Sequence, residues 1–79
     1  MKLPRDIGGV ELARLLARYG YKITRQTGSH MRLTSMLKGE HHITIPRHKP
    51  LKVGTLNGIL SDIALYLEKD KQILIDELF

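Results

Sequence analysis

Leu12, Leu15, Leu16 and Tyr19 recur at i, i+3, i+4 and i+7, the spacing that gathers side chains on one face of an α-helix. This predicts an amphipathic helix over about residues 9–19, with Glu11, Arg14 and Arg18 on its wet face. Gly20 follows as a left-handed C-cap. Gly8 or Gly9 must start the helix, although glycine is not among the strongest N-caps. From Tyr21 the period falls to two. Tyr21 and Ile23 alternate with Lys22, Thr24 and Gln26; Met31 and Leu33 with His30, Arg32 and Thr34; Ile43 and Ile45 with His42 and Thr44. Three strands are expected, parted by turn signals at Thr27-Gly28-Ser29 and Leu37-Lys38-Gly39-Glu40. Pro46 stops the third. Helical spacing then returns with Leu56, Ile59, Leu60, Ile63 and Leu67, Ala64 lying beside them. Thr55 is the expected N-cap, although Gly58 stands where a capping box would have Glu. A short last helix begins at Asp70 and carries Leu74, Ile75, Leu78 and Phe79.

Both long helices have an apolar stripe and the sheet has one apolar face. The economical packing lays both helices on that face and leaves the other open. The expected fold is α+β, with α-β-β-β-α order, a three-stranded antiparallel sheet, and a short C-terminal helix. Its topology is like that of a double-stranded-RNA-binding domain. Residues 1–79 contain no internal repeat, low-complexity segment or linker and are read as one domain. Alternation puts Lys22, His30, Arg32 and His42 on the open face. Arg25 falls on the opposite parity, but close to the turn, where strand geometry can bend it toward solvent.

Charge changes the picture of that face. The chain carries a formal +5, distributed as net +8 over residues 1–60 and −3 over residues 61–79. A basic body suits a polyanion. The absence of cysteine excludes disulfides and thiolate metal sites. No apolar run is long enough to span a membrane, and the stretch Met1-Lys2-Leu3-Pro4-Arg5-Asp6 is unlike a signal peptide. A cytoplasmic location is the expectation.

Gly28-Ser29-His30 delivers a histidine from a turn onto the basic face. Imidazole can take and give a proton near neutrality, which suits RNA cleavage through the 2′-hydroxyl. The alternative is an ordinary polar strand residue. Arg32 lies two residues on, Lys22 on the neighbouring strand, and Lys49 in the basic loop Arg47–Lys52; each can bind phosphate or be solvated charge. No acid for the leaving oxygen stands out; His30 in turn, or His48, are the candidates. His41 and His42 are adjacent and face opposite ways, and no ligand spacing accompanies them, so no metal is expected. Tyr19 and Tyr21 lie on apolar positions, which favours the core over base stacking.

Four segments together resemble the HicA toxins, also called YcfA-like proteins. Tyr19-Gly20-Tyr21 matches the family's glycine–aromatic junction, and Arg25-Gln26-Thr27-Gly28-Ser29-His30 matches its hallmark segment. Ile43-Thr44-Ile45-Pro46 matches the third strand. Lys52-Val53-Gly54-Thr55-Leu56, continued by Ile59-Leu60, matches the opening of the second long helix. Gly8 departs from the Ser that many relatives place before the first helix, a change in capping rather than chemistry. The resemblance implies the toxin of a type II toxin–antitoxin pair, an endoribonuclease (mRNA interferase) needing no metal or cofactor. It implies His30 as the catalytic residue and a HicB-like antitoxin as partner.

The expected site is therefore His30 as general base, with Lys22, Arg25, Ser29, Arg32 and Lys49 binding single-stranded mRNA. No metal, small-molecule cofactor or membrane is expected to take part. Two other readings stand beside it. One is a non-catalytic RNA-binding module of the same fold, which needs charge but no titrating group. The other is a small adaptor whose partner is a protein, which predicts no salt-dependent RNA binding.

Overall fold

The computed structural model describes residues 3–79. Met1 and Lys2, part of the N-terminal stretch considered above, lie outside them. The elements run α1 (Gly9–Leu16), a 3₁₀ turn (Ala17–Tyr19), β1 (Lys22–Gln26), β2 (His30–Ser35), β3 (His41–Pro46), α2 (Val53–Leu67) and α3 (Lys71–Leu78). This is the expected α+β arrangement. The strands form one antiparallel sheet in the order β1-β2-β3. No helix among the described residues is long and apolar enough to cross a membrane.

Leu12 and Leu16 of α1, Met31 and Leu33 of β2, Ile45 of β3, and Leu56, Leu60 and Ile63 of α2 are almost fully buried in one cluster. Each such side chain contributes roughly 1.5–3 kcal/mol of burial. The stripe of α1 is Leu12, Ala13 and Leu16; Leu15, expected among them, is 37% exposed. The helix tightens into the 3₁₀ turn after Leu16, which brings Tyr19 inward, and Gly20 closes it at φ 81°. At the other end Gly8 is the N-cap, and the Glu11 carboxylate accepts from its N–H at 3.1 Å. Gly9 is required for packing: a Cβ there would stand 1.9 Å from the Pro46 carbonyl oxygen.

Helix α2 starts three residues earlier than expected. Its N-cap is Lys52, and Thr55 lies in its first turn. Leu51 is buried and its N–H donates to the Ile7 carbonyl at 2.8 Å, so the chain is anchored just before the helix. Asp70 caps α3, accepting from the N–H groups of Gln72 at 2.8 Å and Ile73 at 3.2 Å. The last acidic turn is tied to the body. Glu77 accepts from the Tyr19 hydroxyl at 2.5 Å and from Lys69 Nζ at 2.7 Å. The Lys69 hydrogen bond, then that of Tyr19, holds the Glu77 carboxyl below the usual carboxylate range. Burial, then Glu77, pushes the Tyr19 hydroxyl up to about 12.

One strand departs from the alternation. Ile23, expected inward, is 48% exposed. Both α1 and α2 pack on β3, and every residue of the far edge strand β1 is exposed.

Candidate active site and nucleic-acid face

The β1–β2 turn is closed by a side chain. Thr27 N–H donates to the His30 carbonyl at 2.9 Å, and the Thr27 hydroxyl accepts from His30 N–H at 3.1 Å. A threonine thus supplies the acceptor that a backbone carbonyl would otherwise provide. Gly28 does not take the left-handed conformation, and a Cβ on it would meet nothing within 4 Å. Its role here is not conformational. The turn is continued by β3, because Arg47 N–H donates to the Ser29 carbonyl at 2.8 Å.

His30 starts β2, exposed, opposite Pro46. Its Nδ1 lies 2.9 Å from Ser29 Oγ. Among the described residues its Nε2 has no hydrogen-bond partner. Arg32 follows on the same face, as alternation requires.

Arg25 joins it through a β-bulge. Lys22 pairs with Thr34 and Ile23 with Leu33, but Arg25, not Thr24, is opposite Arg32. Two residues of β1 therefore face one of β2. Thr24 and Arg25 both border a shallow hollow on the open face, shared with Arg32, Thr34, Met36, Glu40 and His42. The Thr24 hydroxyl donates to the Arg32 carbonyl at 3.4 Å and lies 2.9 Å from Thr34 Oγ1. Opposed like charges are unfavourable in a ladder, yet among the described residues neither arginine is in an ion pair. Lys22, two residues further along, is exposed on the same face.

Lys49 is placed differently. Its ammonium lies 3.0 Å from Glu11 Oε1, beside the start of α1. That hydrogen bond, then the Gly8 N–H, lowers the Glu11 carboxyl from its ordinary value. His48 is held at this end of the sheet by Gly9 N–H, which donates to its carbonyl at 2.9 Å.

The other histidines are engaged. His42 Nε2 donates to Glu40 Oε2 at 2.6 Å, and its Nδ1 lies 2.8 Å from Thr34 Oγ1. His41 faces the opposite way, as adjacency requires. Its Nδ1 meets the Tyr21 hydroxyl at 2.6 Å, its Nε2 donates to Asp62 Oδ1 at 3.3 Å, and its ring stacks on Tyr66 at 4.4 Å. Burial raises the Tyr21 hydroxyl, so it stays protonated and serves as the donor. This cluster ties β3 to α2.

The structure thus groups His30, Ser29, Arg25 and Arg32, leaves Lys22 further along the face, and engages Lys49 elsewhere. Sequence reading overlooked the chain from Glu40 through His42 and Thr34 to Thr24. Its only trace was two outward threonines and an outward histidine on neighbouring strands, whose meeting depends on register.

No curated protein and no solved structure gives a significant match. The family model described as the HicA toxin of bacterial toxin–antitoxin matches residues 9–65, which takes in α1, the whole sheet and most of α2. The chain belongs to the HicA toxin family.

Proposed function

We propose that this toxin is an endoribonuclease that cleaves single-stranded mRNA without a metal or cofactor, with His30 as general base. The observation that carries the reading is the exposed His30 ring, held at Nδ1 by Ser29 and, among the described residues, unpartnered at Nε2, beside two arginines in no ion pair there. In the tautomer that donates Nδ1–H to Ser29 Oγ, the Nε2 lone pair faces solvent and can take the proton of a 2′-hydroxyl. The 2′-oxygen then attacks the adjacent phosphorus. The bond from phosphorus to the 5′-oxygen breaks, leaving a 2′,3′-cyclic phosphate and a 5′-hydroxyl. Arg32, two residues along β2 from His30, and Arg25 opposite it hold the strand by its phosphates and keep the face positive where charge builds on the phosphoryl oxygens. The leaving oxygen takes its proton from water or from His48.

His42 is not part of this step. It pairs with Thr34, four residues along β2 from His30, roughly 13 Å away at strand spacing. The proposed partner is a HicB-like antitoxin that covers His30 and the basic face, in the cytoplasm where mRNA is translated.

The test is cleavage of a single-stranded RNA by purified wild type and His30→Ala, with EDTA present. Cyclic-phosphate ends from wild type, and none from the folded variant, are expected. Equal cleavage by the variant, or cleavage at a 2′-deoxy position, would overturn the mechanism. RNA bound with unchanged affinity by both proteins, and cut by neither, would leave the non-catalytic binding module.

A further inference from the structure

We infer that the open sheet face carries a nucleotide subsite next to the scissile phosphate. The Arg25–Arg32 pair takes the neighbouring phosphate, and the hollow between Thr24, Thr34, Met36, Glu40 and His42 takes the nucleoside beyond it, favouring a base with an exocyclic amine. This rests on the reading of His30 as the residue at the scissile phosphate.

Spacing is the first reason. His30 and Arg32 are two residues apart on β2, so they stand roughly 6.8 Å apart along one face. That is close to the separation of adjacent phosphates in an extended ribonucleotide strand. The bulge adds Arg25 at the same level, opposite Arg32. Two arginines opposite each other on the ladder, neither in an ion pair among the described residues, repel each other, and a phosphate between them removes that repulsion.

The hollow has the opposite character. Glu40 puts a carboxylate on an otherwise basic face, which disfavours a phosphate there and suits an uncharged nucleoside. One of its oxygens, Oε2, holds His42. Among the described residues, Oε1 has no hydrogen-bond partner and remains free to accept. Thr34 and Thr24 continue the chain of bonds behind it, so the carboxylate is oriented rather than loose. Met36, 66% exposed at the rim, offers a polarisable side chain to the flat side of a base. A carboxylate accepts from an exocyclic amine and repels a carbonyl in its place. Adenine, cytosine and guanine are therefore preferred over uracil.

Tetranucleotides varied at the base one step from the scissile bond, on either side, test this. For wild type, kcat/KM should be about tenfold higher with an amine-bearing base than with uracil on one side. Glu40→Gln should erase that ratio, because an amide donates as well as accepts. In a separate measurement, wild type is titrated with a tetranucleotide carrying 2′-deoxy at the scissile position, followed by amide resonances. Shifts at Thr24, Arg25, Arg32, Thr34 and His42 are expected. Cleavage that depends on His30 but shows no base preference, with those resonances unmoved, overturns the subsite and leaves the ribonuclease reading standing. Shifts at the hollow with no cleavage dependence on His30 overturn that reading instead, while the binding surface remains.

Discussion

Gly9 packs directly against Pro46: any side chain on the glycine would run into the proline carbonyl. Pro46 is also the residue opposite His30 in the sheet, so the start of α1 braces the strand behind the candidate base. Gly9→Ala should cost on the order of 1–3 kcal/mol of stability. Gly28→Ala, by contrast, should leave the unfolding temperature unchanged or slightly higher, since the added methyl meets open space and stiffens the unfolded chain. Thermal unfolding of the two variants checks this. Equal losses would mean that the turn at Gly28 is conformationally strained.

His30→Ala is expected to lower kcat by at least about 10²-fold while the protein stays folded, because the ring is exposed. Ser29→Ala should act more mildly, about tenfold, by releasing the ring to the tautomer that blocks Nε2. Ser29→Thr, which keeps a hydroxyl, should recover much of that loss. Failure of the threonine to recover activity would assign the effect to the turn rather than to the tautomer.

RNA affinity should fall steeply with salt. Arg25→Ala and Arg32→Ala should each reduce the slope of log affinity against log salt, and the double variant by about 0.7, the value on a single strand for the one phosphate that the pair shares. Lys49→Ala should change the slope less, because its ammonium is held by Glu11. A Lys49 effect equal to that of Arg32 would show that RNA draws the lysine away from α1.

Glu77→Gln should destabilise the protein in a pH-dependent way. The folded carboxyl is held below its ordinary value by Lys69 and Tyr19. Its contribution is therefore fully present above the ordinary carboxylate range and is lost as pH falls through the lowered folded value. Unfolding midpoints of wild type and variant should differ near neutrality and converge in acid. A gap that persists in acid would show that the variant disturbs packing rather than charge.

The periodicities carried most of this fold. Tyr21, Met31, Leu33, Ile43 and Ile45 are buried where alternation put them, because each joins the one cluster that the helix residues complete. Ile23 follows the same rule yet is half exposed, since helix coverage depends on where α1 and α2 settle, and they settle on β3. Leu15 misses the stripe because the buried side of α1 runs through Gly9, Leu12, Ala13 and Leu16 and leaves Leu15 at its edge. At the site, His30, Ser29 and Arg32 were legible from local spacing. Arg25 entered the expected site only through its nearness to the turn; the bulge at Thr24 that brings it opposite Arg32 depends on register with β2. The engagement of Lys49 by Glu11 joins residues far apart in the chain, which no local pattern records.

Thr24 is the one residue of β1, between Lys22 and Gln26, without a counterpart across the ladder. Cut it out, and Lys22, Ile23, Arg25 and Gln26 still meet Thr34, Leu33, Arg32 and Met31 in unbroken alternation. The strand thus tolerates a deletion without losing its place, a form of slack that few positions inside a sheet possess. A chain lacking Thr24 should fold, keep those four pairings in its amide spectrum, and lose only the bonds its hydroxyl makes to Arg32 and Thr34. Collapse of the sheet on deletion would show instead that the extra residue is structural.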